Sequence, residues 1–441
     1  MENTKAMDIL IDPNPILRMP TETIKFFDAE LQEIIDRMVI TMRQEKGIGL
    51  AGPQVGILGQ IIVIEYQPEK DDKEELKNTI PLTILLNPKI KKLSGKKCLM
   101  LEGCLSFPTI MSSIERPESV IVEALDRWGR KITIEASGLF SRVIQHECDH
   151  LVGVLLSDHI KPLKTVLLSN MELGLPALSA LKDHPQFDFL ALITSRNRGQ
   201  REDFFDLSKT ASELKIKTLF WENDDKIKKQ IAEIKPDLMI VAGFGKILKK
   251  ELIDLPKIAC LNIHPSTLPK YRGPAPIQAT ILNGDKTAGV SIIKMSEIVD
   301  AGAVLGQIEL KLRGDEYYPE LLKTLSELGI DLLIDILPYY LNGDLTPEAQ
   351  DESKATFTKP IKREDGEILK SDTAKKAYNK IRAFRKWPKA YTYCGKRRVI
   401  LLTAHLDQGK LVIDRLQPEG KKSISFKEFS CGYKEKLRLP N

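Results

Sequence analysis

Gln145-His146-Glu147-Cys148-Asp149-His150 is the stretch whose reading decides the first part of this chain. Side chains four residues apart share one face of a helix, so His146 and His150 can close on a single metal ion. Glu147 stands beside that face, where a carboxylate can handle a proton. The stretch ends about a third of the way along 441 residues and has no second copy. The remainder of the chain therefore needs its own explanation.

Outward from this stretch, the length predicts two or three domains. Apolar and charged residues, 42% and 29%, are those of a globular protein. The absence of an apolar run near 18 residues excludes a membrane span, and Met1 to Pro15 has no export-signal pattern. Six cysteines with no CxxC pair argue against a disulfide framework or zinc finger and for a reducing compartment, so the cytoplasm is expected. Residues 361–441 hold 21 Lys/Arg against 9 Asp/Glu, a balance of 21 − 9 = +12 within a total of +5. A basic C-terminal module on a mildly acidic chain points to a polyanion, nucleic acid first.

Pattern divides the chain near Asp158–Leu163. Before the break, short strands at 60–65, 81–86, 119–125 and 131–135 precede a single helix around the His-Glu stretch, an α+β order. The run Asp71-Asp72-Lys73-Glu74-Glu75 reads as a solvated loop. After the break, apolar strands at 164–169, 189–194, 238–241 and 260–264 alternate with helices such as 175–181 and 225–234, which predicts a parallel, Rossmann-like α/β sheet. A third region opens near Lys359 with a helix at 373–384. Strands at 399–403 and 410–416 follow and suggest a small, OB-like β-barrel. The expected domains are 1–162, 163–358 and 359–441.

Two segments join the helix to make a first site. Gly47-Ile48-Gly49-Leu50-Ala51-Gly52-Pro53-Gln54 brings backbone close to a ligand, and Glu102-Gly103-Cys104-Leu105-Ser106 offers a thiolate. Alone, the first is an ordinary turn and the second a packing cysteine. Cys148 lies two residues from His146, on the wrong face for ligation, and reads as a packing thiol. A zincin-type protease would also carry His-Glu-x-x-His, but would need neither Cys104 nor the Gln54 loop.

The three motifs in this order resemble peptide deformylase over about residues 5–162, including the Arg116 region and Leu125-Asp126-Arg127. The resemblance implies that Cys104, His146 and His150 hold a metal, Fe²⁺ with Zn²⁺ or Ni²⁺ as substitutes, and leave one position for water. It implies hydrolysis of the formyl group of N-formylmethionyl nascent peptides, with Glu147 moving the proton. The Gln54 amide and the Leu105 backbone N–H would stabilise the oxyanion. The sequence departs from the pattern twice. Gly52 replaces the usual alanine, a change expected to be sterically mild. Lys161-Pro162-Leu163-Lys164 runs into the next strand where many members continue into a long helix, which in some bacterial members docks on the ribosome.

A second signature, Asn262-Ile263-His264-Pro265-Ser266-Thr267-Leu268-Pro269-Lys270-Tyr271-Arg272-Gly273, follows an apolar strand. Its polar residues would sit at the strand's C-terminal end, where open α/β sheets bind ligands. Asp300-Ala301-Gly302 lies downstream. By itself His264 reads equally as a core histidine, and Asp300-Ala301-Gly302 as a turn. Together they resemble the 10-formyltetrahydrofolate-dependent formyltransferases. That resemblance implies Asn262, His264 and Asp300 as catalytic residues, a folate region around Ser266, Thr267, Leu268 and Pro269, and no metal. Asn262 and His264 would donate to the intermediate's oxygen, and Asp300 would orient His264 and help remove the amine proton.

The third region selects the amine. Lys362–Glu367, Ile381–Pro388 and Leu416–Lys422 resemble the C-terminal barrel of methionyl-tRNA formyltransferase. The implied substrate is initiator Met-tRNA, with phosphate contacts expected from Arg196, Arg198, Arg201, Arg382, Lys421 and Lys422. The chain again departs: Ser169-Asn170-Met171 stands where Gly-Thr-Pro is usual, and a long basic loop is reduced to Ser195–Arg201. The expectation is a bifunctional, cytoplasmic enzyme of translation initiation and protein biosynthesis, hydrolase and transferase, with the ribosome as a further partner and no membrane. The alternatives are a live deformylase fused to a decayed tRNA-binding module, or to one that formylates an amino sugar.

Overall fold

A computed structural model describes residues 5–68, 78–196, 205–433, 435 and 437–440. The charge run at 71–75, Arg198 and Arg201 lie outside them. The chain forms two compact units, Met1–Lys161 with Pro338–Asp344, and Pro162–Leu337 with Leu345–Asn441.

The first unit begins with a helix that the sequence reading passes over, α1 (Ala29–Gln44). Its signals are nonetheless plain. The Asp28 side chain caps Leu31 N–H, and buried Leu31, Ile35, Met38, Val39 and Met42 recur at helical spacing. Then come β1 (Gly49–Ala51), β2 (Ile61–Tyr66), β3 (Ile80–Leu93), β4 (Lys97–Cys104), β5 (Phe107–Pro117), β6 (Ser119–Leu125) and β7 (Lys131–Ser137). Five strands form an antiparallel sheet in the order β1-β2-β3-β6-β7, while β4 and β5 pair as a separate hairpin. The decisive stretch lies in α2 (Gly138–Leu151). Val143, Ile144 and Leu151 of α2 pack with Ile62, Ile64, Val120 and Val122 of the sheet, all buried. Each such side chain contributes about 1.5–3 kcal/mol. This apolar contact fixes the roll of α2, and thereby which way its histidines face. A short helix, α3 (Leu156–His159), follows.

The second unit alternates strand and helix: β8 (Leu163–Leu168), α4 (Leu175–Asp183), β9 (Phe187–Thr194), α5 (Leu207–Glu213), β10 (Thr218–Phe220), α6 (Asp224–Ile234), β11 (Leu238–Ala242), α7 (Lys250–Ile253) and β12 (Ala259–His264). α8 (Pro276–Asn283), β13 (Thr287–Lys294), β14 (Val304–Lys311) and α9 (Tyr318–Asn342) as far as Leu337 complete this body. The sheet order is β10-β9-β8-β11-β12-β13-β14. The first five strands in that order are parallel, but β13 runs antiparallel to both β12 and β14, so the sheet is mixed rather than wholly parallel. Direct entry from Pro162 into β8 confirms that no long helix intervenes.

The C-terminal region opens with α10 (Ala374–Ala383). It continues as an antiparallel sheet of β15 (Tyr391–Cys394), β16 (Arg397–Asp407), β17 (Lys410–Pro418) and β18 (Ile424–Ser425), ending in α11 (Phe426–Gly432). Register shifts near Thr403 bend β16. Ala377, Ile381, Val399, Leu401, Leu416 and Phe429 share one buried core beneath this sheet.

Candidate active sites

Cys104 ends β4, while His146 and His150 lie one turn apart on α2; their ligand atoms all fall within 4.8 Å of one another. Cys104 Sγ is 3.3 Å from His150 Nε2. Two donors on a tetrahedral ion at ordinary bond lengths stand about 3.5 Å apart. The donor set, one sulfur and two imidazoles, suits Zn²⁺, Fe²⁺ or Ni²⁺ rather than a hard cation. Burial lowers the pKa of His150, which keeps its ring neutral and able to ligate. Burial would lower His146 too, yet hydrogen bonds with Cys104 and Glu102 push it well above the ordinary value. The position between that ring and the thiol therefore favours a positive charge, and the residues fit a divalent ion.

Glu102 orients His146. Its carboxylate meets His146 Nδ1 at 3.1 Å, which leaves Nε2 as the ligating nitrogen. Arg116 grips Glu102 with Nε at 2.7 Å and Nη2 at 3.0 Å, and Arg142 adds a further bond. Arg116 Nη1 continues to Asp149 at 2.7 Å, which also meets His159 Nε2 at 2.8 Å. Burial raises the Glu102 pKa, but its partners His146 and Arg116 prevail and hold it at about 2. This network was missed from sequence, although Glu102 lies two residues before Cys104 on one strand and so shares its face.

Glu147 is buried, its Oε2 has no hydrogen-bond partner, and burial pushes its carboxyl up to about 7. Gly49 makes room for it, since a Cβ there would stand 2.4 Å from Glu147 Oε1. Gln54 is fixed by accepting Ala51 N–H at 2.8 Å, which aims its Nε2 at Cys104 Sγ (3.5 Å) and Ser106 Oγ (3.4 Å). Leu105 lies in the turn between β4 and β5, next to Cys104. The structure thus brings Gln54, Cys104, Leu105, His146, Glu147 and His150 to one place.

The second site forms at the C-terminal end of β12. Asp300 Oδ1 lies 3.3 Å from Asn262 Nδ2 and 3.6 Å from His264 Nδ1, and its Oδ2 accepts Gly273 N–H at 2.8 Å. Asn262 and His264 are buried. His264 Nε2 is 3.0 Å from the Tyr271 carbonyl, which only accepts, so Nε2 carries the hydrogen. The Nδ1 edge is therefore the one that meets Asp300. Asp300 has φ +52°, a left-handed conformation that a non-glycine residue seldom adopts. The Ser266–Pro269 turn is clamped from the sheet: Ser291 Oγ donates to Ser266 O at 2.6 Å, and Leu268 O accepts from Gln307 at 2.7 Å.

Residues 6–166 match the family described as Polypeptide deformylase, residues 184–337 match Formyl transferase, and residues 360–411 match Formyl transferase, C-terminal domain. The methionyl-tRNA formyltransferase of Thermodesulfovibrio yellowstonii is 30% identical over 296 residues, covering 61% of this chain and 96% of that protein. That of Bacillus subtilis is 36% identical over 235 residues, covering 47% and 73%. The peptide deformylase structure from Thermotoga maritima is 34% identical, covering 36% of this chain and 99% of that one, with a TM-score of 0.32. This chain belongs to both families, joined as deformylase then methionyl-tRNA formyltransferase. It is a metal-type hydrolase and a formyl transferase in one polypeptide. Among the described residues, no helix is long and apolar enough to cross a membrane.

Within the formyltransferase unit, Arg196 is exposed at the C-terminal end of β9, stacked 4.3 Å over Phe220. Parallel β9 and β12 end on the same edge of the sheet, so Arg196 shares that edge with His264. Lys421 and Lys422 are exposed in the turn after β17. Arg382 contradicts its expected tRNA contact, being only 3% exposed. Its guanidinium donates to Glu316 O at 3.0 Å and Asn379 Oδ1 at 2.8 Å, and burial lowers its pKa. It pins α10 to the catalytic body and cannot reach a phosphate.

In the deformylase unit, Gly52 also corrects the sequence reading. A Cβ there would meet the carbonyl oxygens of Ile57 at 2.6 Å and Gly59 at 2.7 Å, both backbone, so alanine is not mild in this chain. Cys148 is a packing thiol, as expected: it lies against the sheet core, and burial pushes it up to about 12.

Proposed function

We propose that the deformylase site works as follows. Cys104, His146 and His150 hold a divalent ion, Fe²⁺ by resemblance, with Zn²⁺ or Ni²⁺ compatible with the same donors. Such an ion supplies Lewis acidity and a water of lowered pKa when bound. Glu147, unpartnered and poised near neutrality, takes a proton at its carboxylate and passes it to the leaving amine. Gln54 Nε2 and the Leu105 N–H donate to the oxygen of the attacked formyl group. Glu102, locked by Arg116 and Arg142, keeps Nε2 of His146 turned inward. The peptide amine and formate are the products.

The formyltransferase site acts without a metal. The methionyl amine of Met-tRNA attacks the formyl carbon of 10-formyltetrahydrofolate, a C–N bond forms, and the bond to N10 breaks. Asn262 Nδ2 and, once the ring carries both protons, Nδ1–H of His264 donate to the intermediate's oxygen; Asp300 orients His264, receives the amine proton and returns it to the departing N10. Ser266–Pro269 shape the folate side through their backbone, while Arg196, Lys421 and Lys422 meet tRNA phosphates. We place the domain limits at 1–162, 163–358 and 359–441, the last an OB-like module, and the enzyme in the cytoplasm. Deformylation of nascent chains would then proceed at the ribosome without the docking helix of other members.

The observation that carries this reading is the completeness of both constellations in one chain: unpartnered Glu147 beside three metal donors, and Asp300 facing both Asn262 and His264. One preparation, assayed for formyl-Met-Ala hydrolysis and tRNA formylation with metal analysis, tests it. A chelator should abolish the hydrolysis and spare the transfer; loss of both together would overturn the assignment. The two activities avoid a futile cycle if the deformylase site rejects formyl-Met-tRNA. Rapid metal-dependent formate release from labelled formyl-Met-tRNA would refute that separation.

A further inference from the structure

We propose that Gln350 is a positioning residue for formyl transfer, holding Asp300 in its working conformation from the segment that leads to the C-terminal sheet. The proposal rests on the assignment of Asp300 above.

Segment 348–358 straps across the catalytic loops. Glu348 and Val304 exchange backbone hydrogen bonds at 2.7 and 2.8 Å. Further along, Arg272 N–H donates to Thr356 O at 2.8 Å, and Thr358 N–H donates to Arg272 O at 2.7 Å. Gln350 lies between these two attachments. Its Nε2 donates to the carbonyls of both Asp300 (2.8 Å) and Gly302 (2.7 Å), using both amide hydrogens. Its Oε1 accepts from Arg272 Nε (3.0 Å) and Nη2 (2.8 Å). Arg272 is 1% exposed and is held on its far side by Glu352, at 2.7 and 2.8 Å.

The consequence falls on Asp300. A left-handed non-glycine residue persists only where its surroundings over-determine it. Here the side chain is held by Gly273 N–H, the residue after Arg272, and the main chain by Gln350, Arg272's other partner. Gly302 contributes the close approach, since a Cβ would stand 1.8 Å from Lys294 O. Gln350 thus joins the Asp300 loop to the His264–Gly273 loop, and fixes the distance between Asp300 and His264.

Gln350→Glu provides the test. A carboxylate still pairs with Arg272 but cannot donate to the two carbonyls. The measurement is tRNA formylation by the full chain, in single turnover and steady state, with Gln350→Glu and Asp300→Asn alone and combined. Misplacing a catalytic group by about 1 Å costs up to about a hundredfold. Gln350→Glu should therefore lower kcat by roughly tenfold to a hundredfold, leave KM for both substrates within about twofold, and leave peptide deformylation unchanged. In the Asp300→Asn background it should cost less than about twofold, because its target is already gone. Undiminished kcat in Gln350→Glu, or equal losses in both backgrounds, would overturn the proposal. Wild-type activity in Asp300→Asn would instead overturn the assignment of Asp300. Should Gln350→Glu misfold, Glu352→Ala, altering a largely exposed side chain, should lower kcat by about twofold to fivefold; an unchanged kcat there refutes the clamp.

Discussion

Gly49→Ala should separate the two activities. The added methyl carbon would stand 2.4 Å from Glu147 Oε1 and 2.8 Å from Val143 Cγ1. Ordinary contact begins at 3.4 Å, so the carboxylate must retreat by about 1 Å. It can do so cheaply, being the mobile end of a side chain with an unpartnered oxygen. A displacement of about 1 Å in a proton-transferring group costs up to about a hundredfold, or about 2.7 kcal/mol in the barrier. Crowding at Val143 adds about 1–3 kcal/mol of destabilisation. Formate release from formyl-Met-Ala should fall about tenfold to a hundredfold, with bound metal retained and tRNA formylation unchanged. Deformylation at the wild-type rate would refute the claim that Gly49 sets the position of Glu147. Loss of metal along with activity would show that the methyl disturbs the ligands instead.

Four other outcomes follow from charge and burial. Glu102 is held at about 2 against an ordinary 4.5. Its folded value is depressed, so its contribution to deformylase stability is full above pH 4.5 and lost as pH falls towards 2. Glu102→Gln should flatten that limb in acid titration of the metal-free protein; an unchanged limb would count against the network. Cys148, pushed up to about 12, has roughly one thiolate in ten thousand at pH 8. Iodoacetamide at that pH should label exposed Cys431 well before Cys148 by mass spectrometry, and the reverse order would contradict the packing. Lys421→Ala and Lys422→Ala should each reduce the magnitude of the salt slope of tRNA binding by up to about one. Arg382→Ala should leave that slope alone and destabilise the unit by about 2–4 kcal/mol, as unpaired acceptors are left behind; a changed slope with an unchanged melting point would reverse the assignment.

The legible parts of this protein were those written in short-range spacing. His146 and His150 are four apart on one helix, and β12 runs straight into Asn262 and His264, so residue type and local period sufficed. α1 was equally legible, through Asp28 and the Leu31–Met42 stripe, but its helical period went unread beside the stronger strand signals. Other features depend on what arrives from elsewhere in the chain. Gly52 looks interchangeable with alanine until the Ile57 and Gly59 carbonyls close over it. Arg382 reads as one more cation of a basic module until Glu316 and Asn379 bury it. Which nitrogen of His264 faces Asp300 depends on the Tyr271 carbonyl, and the Asp300 conformation on Gln350, fifty residues away. The reversed direction of β13 follows from chain routing, which apolar strand runs do not encode.

The central claim, two independent formyl chemistries in one chain, is tested most directly by exchanging the losses. Glu147→Ala and His264→Ala are each assayed for peptide deformylation and tRNA formylation on the same preparation. Glu147→Ala should retain metal, lose deformylation and formylate tRNA at the wild-type rate, and His264→Ala should do the opposite. Deformylation unimpaired in Glu147→Ala, formylation unimpaired in His264→Ala, or both activities lost in either variant while it remains folded, would contradict it.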